Sequence, residues 1–488
     1  MGAEIQAEGF VERDYDQFAE KLRRSVGALE RVVSRPGFGV GKTTIGAELE
    51  LDLVDADFRP NPINLDVVAS TDDPRITLEL DRFNVEINAC PSPLAGRPFE
   101  AMEQELASAL VAVKKAAARH GARVVMTGIL PTLTEADLTP SALTQSHRYR
   151  ALSQGVRRIR REPFAMRIEG EDILEVTAHD VTFEGANTSF QVHLRVDPAD
   201  FARTYNAAQV ATAFVLAAAG NSPMFLGRKL WDETRIALFP QSVDDRARGT
   251  PGPSRVSFGH GWTTRGVAEL FAESVALHEP LLPQLADEEP ESVVALGGVP
   301  ELWELRLHNG TVWRWNRPVY DPAAGGHVRI EMRALPAGPT VKDMVANAAF
   351  ALGLTLAFAK EVDAFVARTP FTDVRDDFYR AARYGLDAPL LWPHAGPDAE
   401  RRTTFQLRDH LVRLAGEGLV DAGVDAGEAE RWLSIVRERV ARRMTGARWQ
   451  RRHYDALAAR MTDARAASGM LARYVEWSDS ERPVHEWR

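Results

Sequence analysis

The sequence predicts an α+β protein: a mixed, mainly antiparallel sheet with helices packed on it, followed by a helical C-terminal region. Three observations carry this. Segment 44–54 alternates with period two, and further strands are predicted at 76–80, 83–89, 123–128, 189–196 and 327–333. Helical spacing occupies 98–118 between them, and helical patterns dominate from residue 340 onward. With 488 residues, 45% of them hydrophobic and 26% charged, the chain has the composition of a globular protein large enough for a substantial core.

Residues 15–33 set Phe18, Leu22, Val26, Leu29 and Val33 at helical spacing and end in the breakers Arg35-Pro36-Gly37-Phe38-Gly39, so an N-terminal helix is expected. In 44–54, TIGAELELDLV, the residues Glu48, Glu50 and Asp52 alternate with Ala47, Leu49, Leu51 and Leu53, which gives a strand with an acidic face. Asn309-Gly310, where both residues tolerate positive φ, predicts a tight hairpin between strands at 303–308 and 311–316. Segments 244–253 and 287–291, rich in charge, Gly or Pro, read as surface loops. Three regions result: an N-terminal helix with a glycine-rich segment (1–43), a sheet-bearing domain (44–370) and a helical C-terminal region (371–488).

A formal charge of −10 argues against a nucleic-acid partner, whose phosphates call for a net basic surface. One cysteine, Cys90, excludes an intrachain disulfide framework and points to a reducing, cytoplasmic setting; with no charged activator nearby in sequence it reads as a buried or half-buried inert thiol. The start of the chain carries Glu4, Glu8, Glu12, Asp14 and Asp16, unlike a secretory signal, and the apolar run 210–219 is too short to cross a membrane. Arg157, Arg158, Arg160 and Arg161 form one basic run, and a second at 431–452, with Trp432, Val436, Val440 and Met444 at i+4 spacing, reads as an amphipathic helix whose arginines sit in solvent or in ion pairs.

Chemistry concentrates on the predicted strands. Glu48 and Glu50 lie side by side on one, Glu79 and Glu86 bracket the turn at Asp81-Arg82, His193 alternates with Gln191 and Arg195, and Glu331 alternates with Arg329 and Arg333. Carboxylates gathered on one sheet face need a positive counterpart, and oxygen-rich sites with one histidine suit Mg²⁺ or Mn²⁺, the ions that accompany ATP. Gly37-Phe38-Gly39-Val40-Gly41-Lys42-Thr43 imitates a phosphate loop but has Pro36 where the motif requires glycine, and a strand rather than a helix follows it. Trp313 and Trp315 are accounted for by strand packing, with adenine stacking the lesser reading.

The segments GAELELDL (46–53), ELDRFNVEIN (79–88), SFQVHLRV (189–196), AAAGNSPMFLG (217–227), WDETRIALFP (231–240) and HVRIEMRALPAGPT (327–340) together resemble, in order, blocks of the glutamate–cysteine ligases of the second bacterial type, over roughly residues 44–367. The resemblance implies a glutamine synthetase-like catalytic fold within 44–370 that uses ATP and Mg²⁺, with Mn²⁺ as an alternative. It further implies that Glu50, Glu79 and Glu86 hold one metal and Glu48, His193 and Glu331 a second, that Arg333 steadies phosphoryl oxygens, and that Arg235 receives the substrate carboxylate. The implied reaction joins a carboxylate, by default the γ-carboxylate of glutamate, to an amine, by default cysteine, through an acyl phosphate. A phosphotransferase of the same superfamily and a non-catalytic nucleotide- or metal-binding protein are the competing readings.

Overall fold

Strand β1 (Thr44–Val54) is the axis of the molecule. The computed structural model describes residue 5 and residues 9–247, 249–392 and 400–488; Glu4, Glu8 and Arg248 of the N-terminal and loop readings lie outside the described residues. Around β1 run β2 (Ile76–Leu78), β3 (Asn84–Asn88), β4 (Phe190–Val196), β5 (Asn316–Asp321) and β6 (His327–Met332), in the order β5-β6-β4-β1-β3-β2. Every pairing along this path is antiparallel. The parallel contribution lies outside it, where Val256–Ser257 pairs with Trp313–Arg314.

Register decides which side chains meet. Glu50 faces Glu86 across β1 and β3, with Glu48 opposite Asn88 and Asp52 opposite Asn84. Glu331 faces His193 across β6 and β4. Because side chains alternate, Glu48, Glu50 and Asp52 share one face of β1, while Leu49, Leu51 and Leu53 on the other are fully buried. The helices Pro98–Arg119, Phe201–Ala219 and Val341–Ala359 pack on the sheet, and four further helices, Thr404–Asp421, Ala426–Ala441, Gly446–Ala458 and Asp463–Asp479, complete the C-terminal region.

The expected hairpin at Asn309-Gly310 is absent. Trp303–Asn309 is a short helix, Gly310 caps it with φ −67°, and the hairpin of this stretch instead joins β5 to β6 through the turn 322–326. There Ala324, Gly325 and Gly326 supply the positive φ that the turn requires. The Asn309 amide donates to the Pro318 carbonyl at 2.9 Å, so tertiary contacts on this helix outweigh the dipeptide's turn preference. A hairpin not expected from the sequence, Phe164–Glu169 with Ile173–Ala178, alternates buried and exposed residues along both strands.

The basic segment 431–452 spans two helices, broken where Arg443 takes φ +52°. Of its apolar stripe, Trp432, Val436 and Val440 are buried as expected and Met444 is half-buried. Arg431 pairs with Glu103 at 3.0 Å, whereas Arg439 is buried against Asp343 at 2.8 Å. Cys90 is exposed rather than buried, and the neighbouring Glu105 raises its thiol pKa, which keeps it protonated. Among the described residues, Val341–Ala359 is the helix long and apolar enough to cross a membrane, and it is a buried core helix here.

Candidate active site

Two groups of ligand-type side chains occupy the polar face of the sheet. Glu50, Glu86 and Glu79, the last one residue beyond β2, each bring an oxygen within 4.8 Å of the others. Glu48, His193 and Glu331 form a second group within the same distance. β1 joins them, since Glu48 and Glu50 are one strand period apart. These are the six residues, in the same two sets of three, that the sequence resemblance implied.

The groups differ in how their charge is balanced. Glu331 is 1% exposed and accepts from Arg317 Nη2 at 2.9 Å and from Arg333 Nη1. Burial pushes its carboxyl up, but Arg317 and Arg333 outweigh this and hold the pKa at about 2. Burial also works against ionised Glu48, yet surrounding positive groups, His193 and Arg333 among them, keep it well below the usual carboxylate range. Glu50 accepts from the Ser189 amide at 2.6 Å and from Gln191 Nε2 at 2.9 Å, but burial and the facing Glu86 push it up to about 7. Burial, Glu86 and Glu50 raise Glu79 in the same way.

Three carboxylates in mutual reach, two of them forced toward the protonated form, fit a divalent cation that would supply the missing charge. The donor set is all oxygen in one group and two carboxylates with an imidazole in the other, which suits Mg²⁺ or Mn²⁺. His193 Nε2 is buried and lies 3.3 Å from Glu48 Oε1, while Arg329 Nε donates to Nδ1 at 3.0 Å. Ligation through Nε2 therefore requires the imidazole proton to sit on Nδ1 and the Arg329 contact to open.

An open cleft lies over these groups, lined by Glu48, Glu50, Glu79, Glu86, Glu331 and Arg333. Arg333 is held at Gln191 Oε1 and at Glu331, and its backbone amide donates to the Trp315 carbonyl at 2.8 Å. Arg148, Arg306, Arg317 and Arg329 line the same cleft, as do Tyr149, Trp313 and Glu184. Burial and then Glu50 raise Glu184 to about 8. Glu184 sits in the turn region 181–187, where no periodicity marks it. Arg148 and Tyr149 open the helix His147–Arg160, whose last turn carries the basic run at 157–161.

Arg235 differs from expectation. It is 2% exposed and lies behind the cleft wall, pairing with Glu233 at 3.2 Å and donating to the carbonyls of Ala334 at 3.1 Å and Arg333 at 3.3 Å. Its guanidinium thus fixes the backbone that carries Arg333. Trp315 is buried against Phe239 and Phe378, and the glycine-rich segment 37–43 runs from a helix into β1 as its sequence required.

No curated protein matches the sequence. Among solved structures, the glutamate–cysteine ligase of Francisella tularensis in complex with AMP superposes with a TM-score of 0.53 at 10% identity, over 91% of this chain and 90% of that one. The bifunctional glutathione synthetase of Pasteurella multocida gives 0.46 at 10% identity, over 94% of this chain and 55% of that one. The first likeness shows the fold, that of the Francisella glutamate–cysteine ligase. Residues 44–476 match the sequence model of glutamate–cysteine ligase family 2, well past the limit near residue 367 drawn from the motif blocks. With the match running through both ligand groups and the C-terminal helices, the chain belongs to glutamate–cysteine ligase family 2 and is an enzyme of the carboxylate–amine ligase class.

Proposed function

We propose that this enzyme uses MgATP to join the γ-carboxylate of glutamate to the amine of cysteine through an acyl phosphate. The observation that carries the reading is the pair of three-ligand groups on one sheet face beneath a cleft also lined by arginines. Glu50, Glu79 and Glu86 would hold one Mg²⁺ or Mn²⁺ and Glu48, His193 and Glu331 another, and the bound ions would neutralise phosphate oxygens. Arg333, pinned by Glu331 and Gln191, offers a fixed guanidinium to the phosphoryl group as it passes from ATP to the carboxylate oxygen and ADP departs. The amine then attacks the acyl carbon, loses its proton and expels phosphate. Cleft arginines beyond Arg333 suit the carboxylates of amino-acid substrates. The chain thus contributes position and charge rather than a covalent nucleophile.

The test is ADP release by the purified protein with MgATP, glutamate and a panel of amines including cysteine, with mass detection of the product. A γ-glutamyl amide formed in step with ADP is the expected outcome. ADP with a phosphorylated carboxylate and no amide would replace the ligase reading with a phosphotransferase, and no ADP with any amine would overturn it.

A further inference from the structure

The acidic face of β1 continues past the two groups already described. Asp52 is the next residue on that face, opposite Asn84 of β3, and Asn84 Nδ2 donates to Asp52 Oδ1 at 2.9 Å. Asn64, which opens the helix Asn64–Ala69, donates through Nδ2 to the carbonyls of Asp81 and Asn84, both at 3.1 Å, and to Thr144 Oγ1 at 2.8 Å. Asp81, in the turn between β2 and β3, completes the set. All four residues are at most 2% exposed, and none lines the cleft.

What distinguishes this cluster is its surplus of acceptors. Asp52 Oδ2, both oxygens of Asp81, Asn64 Oδ1 and Asn84 Oδ1 are buried without a hydrogen-bond partner. The charged groups that act most strongly on Asp81 are the acids Glu184, Asp180 and Asp52. Gly185 closes over it so tightly that a Cβ there would stand 2.5 Å from Asp81 Oδ2, so no side chain can reach in from that position. A proton on Asp81 would turn one acceptor into one donor, satisfying one neighbour and leaving the amide oxygens, which do not protonate at neutral pH, as they are. A divalent cation would bring the positive charge that the two buried carboxylates lack, and the unpartnered amide oxygens are acceptors it could use.

We propose that Asp52, Asp81, Asn64 and Asn84 form a third, buried divalent-cation site at the end of the acidic face, separate from the substrate cleft. Two carboxylates carry the charge of a divalent ion, and two neutral amide oxygens are ligands of the kind hard, oxygen-seeking ions accept. Such an ion would brace the β2–β3 turn, and with it the spacing of Glu79 and Glu86.

Crystals of the full chain grown with MnCl₂ test this through the anomalous signal of manganese, independently of any turnover and hence of the reaction proposed above. The expected result is a peak among Asp52, Asp81, Asn64 and Asn84, lost in Asp81→Asn. Peaks confined to the two glutamate groups, or water-strength density without anomalous signal, would overturn the site, and so would a peak that survives in Asp81→Asn. In solution, Mn²⁺ should raise the melting temperature of the unmodified protein by more than that of Asp81→Asn, measured from chelator-treated samples whose circular dichroism confirms folding. Equal rises in the two proteins would also overturn it.

Discussion

At the scale of single residues, the two ligand groups respond differently to loss of a charge. Glu331 is tied to Arg317 and Arg333, so Glu331→Gln removes a proposed ligand and also leaves two half-buried guanidiniums without their carboxylate. Glu50 instead faces Glu86, so Glu50→Gln removes a repulsion in the metal-free protein. Both changes should lower amide formation by at least about 100-fold, with the fold intact by circular dichroism. Only Glu331→Gln should also lower the melting temperature in chelator, and near-normal turnover in both would remove these residues from the reaction. A pH effect follows from Glu184. In the folded protein it keeps its proton up to about 8, whereas unfolded it ionises near the ordinary glutamate value. The folded state then binds more protons than the unfolded one, so this group takes stability away as pH rises through that interval. Glu331 works in the opposite sense: held at about 2, it contributes stability above the ordinary glutamate value that is lost as pH falls toward 2. Between pH 5 and 8 the melting temperature of chelator-treated Glu184→Gln should therefore fall less with pH, or rise more, than that of the unmodified protein, by about a few degrees over the interval; parallel curves for the two proteins would refute the assignment. Period two on a strand made the shared face of Glu48 and Glu50 and the strand positions of Glu86, His193 and Glu331 legible, while the division into two sets of three, Glu79 included, came from the resemblance. Glu184 and Arg148 were not legible, since a turn and a separate helix bring them to the cleft without any periodic relation to it. For Arg235, sequence order gave its neighbourhood but could not tell the cleft wall from the backbone behind it.

Among elements, legibility followed amphipathicity. β1 appears with the bounds its alternation predicts, and the N-terminal helix starts three residues early, at Glu12. Phe201–Ala219 is buried nearly all round, so no polar stripe announces it as a helix. Asn309-Gly310 misled for a different reason: a local turn preference of this size yields to the packing of Leu305 and Leu307 in the helix that precedes it. The contact of the core helix Val341–Ala359 with Thr404–Asp421 depends on two glycines. A Cβ at Gly353 would meet the Ala415 carbonyl oxygen at 2.5 Å, and one at Gly418 would meet the Gly353 oxygen at 2.3 Å. Helix propensity alone would make Gly353→Ala stabilising by about 1 kcal/mol. Because the obstacle is backbone, the helices must move apart, and we expect a net loss of about 1–3 kcal/mol in urea unfolding. A gain in stability would show that the crossing has slack which the close approach does not suggest.

For the molecule as a whole, the question is whether the region after residue 370 is an addition to the sheet-bearing part or a portion of its core. Arg439 donates to Asp343 Oδ1 at 2.8 Å, with both side chains buried. Tyr474 donates to the Met126 carbonyl at 2.7 Å, just beyond Arg123–Val125, which pairs with β1, and Gln450 reaches Asn221 Oδ1 at 2.9 Å. Hydrophobic residues of both regions also belong to one continuous cluster. Removing residues 371–488 would leave Asp343 as a buried charge without its guanidinium, at a cost of about 3–5 kcal/mol, and would strip the apolar cover from Val341–Ala359. Such losses are comparable to the entire stability of an ordinary domain. A chain ending at residue 370 should therefore aggregate rather than fold, and calorimetry of the full chain should give one unfolding transition in which sheet and C-terminal helices melt together. A soluble 1–370 fragment with its own cooperative melt would instead make the C-terminal helices a separable domain and place the determinants of the cleft entirely within the sheet-bearing part.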